Sequence, residues 1–174
     1  RKVATLEEFL QATKNRVQLL IEIKSYRPDP GVAEAVIKLV QDHEMENEVM
    51  IMSPNLDIVN RLNTLAPGLR IGFVTAVSVG NLSRIPVDFL AVNHNRINPE
   101  LIQSVRSQDI LLFAWTVNSA TTMADMIELD VDGIITDDPE LAVKVRNELM
   151  EMSVTERLLL RFRQLVIDDE NSEE

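Results

Sequence analysis

The sequence predicts an α/β fold of the TIM-barrel type, with six of the usual eight strand–helix units. Short apolar segments of strand character alternate regularly with segments of helical periodicity, and right-handed crossovers between such units produce a parallel sheet. The 174 residues are fewer than the roughly 200 to 250 of a complete barrel, which leaves a smaller doubly wound sheet as the alternative. The chain has five glycines and no glycine-rich fingerprint after its first strand, which argues against a nucleotide-binding sheet.

The apolar segments define six predicted strands. They are expected near residues 19–24, 48–52, 70–75, 87–92, 110–116 and 132–136. The segment from Ala76 to Arg84 is too short and too mixed in composition to predict a helix. The other connecting segments carry apolar residues at helical spacing, as expected for helices that cover a parallel sheet.

Helix starts are predicted from capping residues and from proline. Thr5-Leu6-Glu7-Glu8 has the pattern of a capping box, and the short helix that it opens is expected to end near Asn15. Asp29 as the cap and Pro30 as the first helical residue predict the start of the second helix. Later starts are expected at Ser53-Pro54-Asn55, Asn98-Pro99-Glu100, Ser119 and Asp138-Pro139-Glu140.

The chain is expected to form one domain over residues 1–152, followed by two short segments. Ser153-Val154-Thr155-Glu156 is a second capping-box pattern and predicts an amphipathic helix over 153–167. Residues 168–174 are acidic and are expected to be disordered. A partial barrel has two exposed sheet edges, so we expect these edges to be covered by the amphipathic helix or by a second copy in a homo-oligomer.

The strand at 19–24 carries two charges where a buried strand is normally apolar. Because side chains alternate along a strand, Glu22 and Lys24 lie on one face, and Ile21 and Ile23 lie on the other. Charges at the carboxyl end of a parallel strand are typical of a functional site. The alternative is a structural ion pair at a solvated sheet edge.

Composition limits the partners. The 28 acidic and 17 basic side chains give a formal charge of −11, which opposes binding to nucleic acid or to an anionic bilayer. There are no cysteines, so a bound metal would need oxygen ligands or the two histidines. No apolar run is long enough to span a bilayer, and the sequence does not indicate a compartment. The chain begins with Arg1 rather than methionine, so we expect it to be a piece of a longer protein.

Six segments in a fixed order carry a resemblance to one family. They are Ala4 to Leu10, Ile21-Glu22-Ile23-Lys24, Ser53-Pro54-Asn55, Asn98-Pro99-Glu100-Leu101, Trp115-Thr116-Val117-Asn118 and Asp132-Gly133-Ile134-Ile135-Thr136-Asp137-Asp138-Pro139. They resemble landmarks of the glycerophosphodiester phosphodiesterases, metal-dependent barrel enzymes that cut glycerophosphodiesters into an alcohol and glycerol phosphate. The resemblance spans roughly Arg1 to Arg146.

The resemblance implies roles for three residues. Glu22 matches the family's metal-ligand glutamate, and the implied cofactor is a divalent cation, Ca²⁺ or Mg²⁺. Lys24 matches a cation near the phosphate, and Trp115 matches a wall of the glycerol pocket. The implied partner is a small glycerophosphodiester, and membrane attachment of a longer parent stays open.

The resemblance also has gaps. The family's His-Arg-Gly strand, Glu-x-Asp metal ligands and second catalytic histidine have no counterpart, so the general acid and base are not in this chain. Pro54 stands where the family commonly has phenylalanine. His94 follows a strand end but matches no family histidine, and His43 near a helix end has no assigned role. We interpret Asp137 and Asp138 as capping residues rather than ligands.

Three functions follow from these observations. The first is an enzyme that hydrolyses glycerophosphodiesters as part of a longer protein, although the isolated chain is expected to be inactive. The second is a non-catalytic interaction or scaffold domain derived from the same barrel. The third is another phosphate-binding barrel, because fold alone does not fix function. A His-Arg-Gly segment and a Glu-x-Asp pair upstream of Arg1 would favour the first.

Overall fold

The computed structural model describes residues 3–24, 31–76, 86–153 and 155–156. In these ranges there are six strands, and a helix connects each consecutive pair except the third and fourth, whose connection at 77–85 lies outside the described residues. The strands are β1 Leu19–Glu22, β2 Val49–Ser53, β3 Arg70–Thr75, β4 Phe89–Asn93, β5 Leu111–Trp115 and β6 Gly133–Ile134. The helices are α1 Leu6–Thr13, α2 Val32–Asp42, α3 Leu56–Leu65, α4 Pro99–Arg106, α5 Ala120–Glu128 and α6 Pro139–Glu151, and a short 3-10 helix, His94–Arg96, follows β4.

The six strands form one parallel sheet in sequential order from β1 to β6. The sheet curls into a half-barrel with the helices between its strands. The predicted TIM-barrel type with six parallel units is therefore confirmed, and the doubly wound alternative is excluded because its strand order would not be sequential.

The strand predictions agree with the structure to within two residues at each end. The last strand was predicted over 132–136 and is observed over Gly133–Ile134. Its pairing continues beyond that range, since Ile135 N donates to Ala114 O at 2.8 Å. The start of α2 was predicted wrongly at Pro30. The helix begins at Val32, with Gly31 at its N-cap and no side-chain cap hydrogen bond.

The other predicted N-caps are confirmed. Thr5 and Glu8 form a capping box in which the Thr5 hydroxyl accepts from Glu8 N at 3.2 Å and Glu8 Oε2 accepts from Thr5 N at 2.7 Å. In four further helices the N-cap side chain accepts a hydrogen bond from a backbone N–H of the first turn. These N-caps are Asn55, Asn98, Ser119 and Asp138.

Three helices end in a Schellman arrangement whose left-handed residue is not glycine. Glu44, Asp109 and Asp130 have φ values of 54°, 55° and 59°, the left-handed conformation for which glycine is usually selected. After α2, Glu44 N donates to Gln41 O at 2.9 Å and Met45 N donates to Val40 O at 3.0 Å, which is the Schellman arrangement. The same two hydrogen bonds recur after α4 and α5.

Two strands are preceded by an aspartate that ties them to the neighbouring strand. Asp88 Oδ2 accepts from Ile71 N at 2.7 Å, while Asp88 N donates to Ile71 O at 2.8 Å. Asp132 has the same relation to Leu112, with distances of 2.8 and 2.9 Å. The repeated arrangement fixes the edge of the sheet formed by the amino-terminal ends of the strands. Glu22 and Lys24 lie at the opposite edge.

The two faces of the sheet have different surroundings. The convex face packs against the helices in two apolar clusters, which include Val40 and Ile51 in one and Leu112 and Met123 in the other. The concave face carries a smaller cluster with Phe89 fully buried at its centre. Around it lie seven partly buried apolar side chains: Leu20, Met50, Val74, Leu111, Phe113, Trp115 and Ile135. The concave face is therefore lined mainly by apolar side chains.

Some predictions fall outside the described residues. These are the assignments for 77–84, for Asp29, for 157–167 and for the tail at 168–174. The start of the second capping box is described, because the Ser153 hydroxyl accepts from Glu156 N at 3.3 Å and Glu156 Oε2 accepts from Ser153 N at 2.8 Å. Among the helices that the structure describes, none combines the length and the apolar character that crossing a bilayer would require.

Candidate functional site

A cavity of about 310 Å³ opens at the carboxyl ends of the strands. In parallel α/β folds this edge carries the functional groups, because each strand ends there and releases its chain into a loop. The cavity is lined by residues at or just beyond the ends of five strands: Glu22, Lys24, Met52, Pro54, Val74, Ala76, Trp115, Thr116 and Ile135. All three predicted site residues, Glu22, Lys24 and Trp115, are in this lining.

Glu22 and Lys24 form an ion pair on the cavity side of β1. The Lys24 Nζ lies 3.4 Å from Glu22 Oε1, and the side chains are 53% and 31% exposed for Lys24 and Glu22. The alternation predicted for this strand is observed, because Ile23 is 5% exposed and packs with Ile21 in a cluster of the convex face. An ion pair this open to solvent adds little stability, so both charges are accessible to a ligand.

The end of β1 is fixed from the neighbouring strand by Ser53. Its side chain is fully buried, and Oγ donates to Ile23 O at 2.8 Å and accepts from Asn55 N at 3.1 Å. Ile23 N in turn donates to Met52 O at 2.8 Å. Because Ile23 lies between the two charged residues, these hydrogen bonds set the direction in which Glu22 and Lys24 leave the sheet.

Trp115 forms the opposite wall of the cavity. Its indole Nε1–H donates to Ala91 O at 2.9 Å, across the adjacent strand. Because the indole has a single donor, this hydrogen bond fixes the orientation of the ring. An apolar ring fixed in this way suits the carbon skeleton of a small polar ligand, while the charges of β1 face it across the half-barrel.

The histidines lie away from the cavity. His94 is half-buried in the 3-10 helix after β4, at the same edge of the sheet, but it is not part of the cavity lining. His43 is the C-cap of α2, where its Nδ1 lies 2.9 Å from Leu39 O. Neither histidine is placed to transfer a proton in the cavity.

The interpretation of Asp137 and Asp138 as capping residues is correct for one of them. Asp138 is the N-cap of α6, and its Oδ1 accepts from Leu141 N at 3.0 Å. Asp137 instead accepts a hydrogen bond from Asn118 Nδ2 at 2.7 Å. Sequence reasoning did not identify Asn118, Ser53 or Thr116 individually, because their contacts join segments that are distant in sequence.

The chain resembles known proteins over most of its length. The sequence model of the glycerophosphoryl diester phosphodiesterase family matches residues 1–141. A glycerophosphodiester phosphodiesterase of Caldanaerobacter subterraneus subsp. tengcongensis is 31% identical over 153 residues, which are 83% of this chain and 62% of that protein. One from Bacillus subtilis (strain 168) is 26% identical over 159 residues, 83% of this chain and 54% of that protein. The chain thus spans less than two thirds of these relatives.

Solved structures share the fold. The crystal structure of a glycerophosphodiester phosphodiesterase from Parabacteroides distasonis has a TM-score of 0.78 at 21% identity, over 84% of this chain and 65% of that chain. A phosphodiesterase from Oleispira antarctica, solved with the product sn-glycerol-3-phosphate, has a TM-score of 0.72 at 14% identity, over 82% and 60%. Since the family's sequence model covers well over half of it, this chain belongs to the glycerophosphoryl diester phosphodiesterase family.

Proposed function

We propose that this chain is part of a phosphoric diester hydrolase that converts glycerophosphodiesters into glycerol phosphate and an alcohol. The observation that carries the proposal is that Glu22, Lys24 and Trp115 converge on one cavity at the carboxyl edge of the sheet. Family membership and the names of the relatives support it. Such a reaction belongs to the metabolism of lipids and glycerol.

The reaction breaks the bond between phosphorus and the alcohol oxygen while a water oxygen bonds to phosphorus. Negative charge on the phosphoryl oxygens must be stabilised as this happens. Among the described residues that line the cavity, only Lys24 is a cation, and its ammonium would bind these oxygens. Glu22 holds that ammonium when no ligand is present, and the Trp115 ring borders the glycerol part.

The family resemblance implies a divalent cation, which would need several oxygen or nitrogen ligands at the cavity. Among the residues that the structure describes, no group of three or more histidine, aspartate or glutamate side chains could hold a metal. Hard cations such as Ca²⁺ and Mg²⁺ take six or more oxygens. The described donors therefore do not fit a complete site. Glu22 would supply one ligand, and the others would have to come from outside the described residues.

The same observation favours a second function. A barrel of this family that has lost its metal ligands and its acid and base would act as a non-catalytic interaction or scaffold domain. It would keep the fold and the cavity, since these depend on the apolar clusters rather than on the catalytic groups. The two proposals differ in whether Glu22 and Lys24 support turnover.

Turnover of glycerophosphocholine distinguishes them. The protein for this assay is the natural chain including whatever sequence precedes Arg1, measured with and without a chelator. Under the enzymatic proposal, Lys24→Met and Glu22→Gln each reduce kcat/KM by at least about 100-fold, since the first removes the cation that binds the phosphoryl oxygens and the second removes the carboxylate that would be a ligand of the divalent cation.

Lys38→Met is the matched control for the loss of a lysine charge. Lys38 lies on α2, is 73% exposed on its side chain and pairs with Asp42 on the same helix. This variant should retain the turnover of the wild type. Turnover that is absent in the wild type, or that survives both cavity substitutions, contradicts the enzymatic proposal and leaves the scaffold.

A further inference from the structure

The loops that follow β5 and β6 are joined by hydrogen bonds centred on Asn118. Asn118 Nδ2 donates to Asp137 Oδ2 at 2.7 Å, and Asn118 Oδ1 accepts from Asp137 N at 3.0 Å and from Thr136 Oγ1 at 3.1 Å. A backbone N–H can only donate and a carboxylate can only accept, so the amide has one consistent orientation. One side chain thus holds two residues of the neighbouring loop.

These hydrogen bonds lie directly beside the cavity wall. Trp115, the last residue of β5, and Thr116, which follows it, line the cavity, and so does Ile135, which follows β6. Val117 N donates to Ile135 O at 3.0 Å, so the two segments are already paired up to this point. Asn118 continues that pairing past the end of the short strand β6, where the ladder of backbone hydrogen bonds stops.

The contacts of Asn118 are not needed to start the next helix. That helix is capped by Asp138, whose Oδ1 accepts from Leu141 N, and Asp138 N is held by Thr136 Oγ1 at 3.0 Å. Asn118 and Asp137 are both solvent-exposed, and hydrogen bonds at exposed positions contribute little to global stability. The main consequence of the Asn118 contacts is therefore the relative position of the two loops.

We propose that Asn118 is a positioning residue that fixes the wall formed by Trp115 and Thr116 relative to Ile135. By doing so it sets the width of the cavity for the glycerol phosphate part of the substrate. The identity of that ligand rests on the proposed function, whereas the effect of Asn118 on the wall does not. Asn118 touches no reacting atom and acts through the backbone of residues 116–118.

A reciprocal exchange tests this pairing. Asn118→Asp places a second carboxylate against that of Asp137, and like charges at this distance repel. Adding Asp137→Asn restores the pair with donor and acceptor exchanged, while the backbone N–H of residue 137 and the Thr136 hydroxyl can still donate to residue 118. Asn60→Asp, at an exposed position of α3, is the control for the added charge.

Trp115 provides the readout, because it is the only tryptophan of the 174 residues and lines the cavity. The first measurement is acrylamide quenching of its fluorescence in the native protein, which needs no ligand. The second is a titration of the same emission with sn-glycerol 3-phosphate. We expect Asn118→Asp to increase the quenching constant and to weaken binding roughly tenfold, and the double exchange to restore both. Asn60→Asp should change neither.

The two measurements separate the two proposals. If sn-glycerol 3-phosphate does not change the emission of the wild type, the proposed ligand is wrong, and quenching alone decides the role of Asn118. If quenching is the same in the wild type and in Asn118→Asp, Asn118 does not position the wall. An effect of Asn118→Asp that the double exchange fails to reverse also overturns the proposal. If Asn118→Asp does not fold, Asp137→Ala, which removes the side-chain acceptor of the Asn118 amide instead, takes its place in the comparison.

Discussion

The ring of Phe89 lies across Gly72, its direct partner on the neighbouring strand. The two residues are paired in the register of β3 and β4, and a Cβ atom built on Gly72 would overlap the Phe89 ring. Phe113 has a similar relation to Gly133, where a Cβ would be 3.0 Å from Phe113 Cδ1. The two rings lie 5.2 Å apart between centroids. Two glycines thus make room for the aromatic centre of the concave face.

Gly72→Ala is expected to destabilise the protein by about 2 kcal/mol or more, because the added methyl group forces the buried Phe89 ring out of its position. Gly68→Ala is the matched control, since nothing lies within 4 Å of a Cβ at that position. Chemical denaturation measures both. Combining Gly72→Ala with Phe89→Leu should cost less than the sum of the single changes, and strict additivity would contradict the contact.

Glu44→Gly is expected to stabilise the protein by about 1 kcal/mol. Glu44 has a φ of 54°, which strains a residue with a Cβ, and glycine removes that strain at a modest entropic cost. The substitution also removes an ion pair between Glu44 and Lys14, which are 3.6 Å apart. Because the Glu44 side chain is 88% exposed, losing this pair costs little stability. Asp109→Gly should gain less, because aspartate tolerates this conformation better. Thermal unfolding that shows no gain for Glu44→Gly would contradict this view.

The pair Glu34 and Arg61, which joins α2 to α3, is expected to make stability depend on pH. The hydrogen bond from Arg61 lowers the pKa of Glu34 below its ordinary value of 4.5. A carboxyl whose pKa is lower in the folded state stabilises the fold above its unfolded pKa, and this contribution is lost as the pH falls through the folded pKa.

Glu34→Gln should therefore be less stable than the wild type at pH 7, with a difference that shrinks at pH values below the folded pKa. The difference is expected to be small, because solvent screens the pair: the Arg61 side chain is 52% exposed and the Glu34 side chain 36%. Arg61→Met should flatten the pH dependence in the same way. Urea unfolding at several pH values checks this, and an equal difference at pH 7 and at pH 3 would exclude the pair as its source.

The isolated 174-residue chain is expected to show little or no phosphodiesterase activity. Proton transfer to the leaving alkoxide needs an acid and a base at the cavity, and the two histidines of the chain, His43 and His94, lie outside its lining. Chelator-sensitive turnover of glycerophosphocholine by this chain alone, at the rate of complete family members, would show that other groups serve as acid and base.

The two edge strands, β1 and β6, are expected to be covered in solution. They end the sheet order, so in the part of the chain that the structure describes neither pairs on its outer side. Leu19 N and Ile23 N point toward β2, which leaves the amides of Leu20 and Glu22 facing outward. Bare edges and a partly exposed apolar face favour association. We propose a second copy or the segment 153–167 as the cover.

Light scattering and hydrogen exchange decide this. If a second copy is the cover, the full chain is a dimer. If the segment 153–167 is the cover, the full chain is a monomer and a chain ending at Met152 associates. In both cases the Leu20 and Glu22 amides exchange slowly in the full chain. A strict monomer at high concentration in which these amides exchange freely would contradict the prediction.

Features that depend on local sequence were predictable. The alternation of Ile21, Glu22, Ile23 and Lys24 assigned each side chain to a face before the structure was known, because side-chain direction along a strand has a period of two. Capping by Thr5 and the other N-cap residues was equally readable, since cap and first turn are adjacent in sequence. Sequential right-handed units then gave the strand order.

Features that depend on distances across the sheet were decided only by the tertiary structure. Asn118 meets Asp137 nineteen positions away, and Ser53 meets Ile23 thirty positions away. These contacts depend on how the sheet curls and where its loops leave it, which no local pattern encodes. Likewise no glycine marks the end of α2 at Asp42, because the hydrogen bonds of Glu44 N to Gln41 O and of Met45 N to Val40 O hold a glutamate in a conformation that its own preferences oppose.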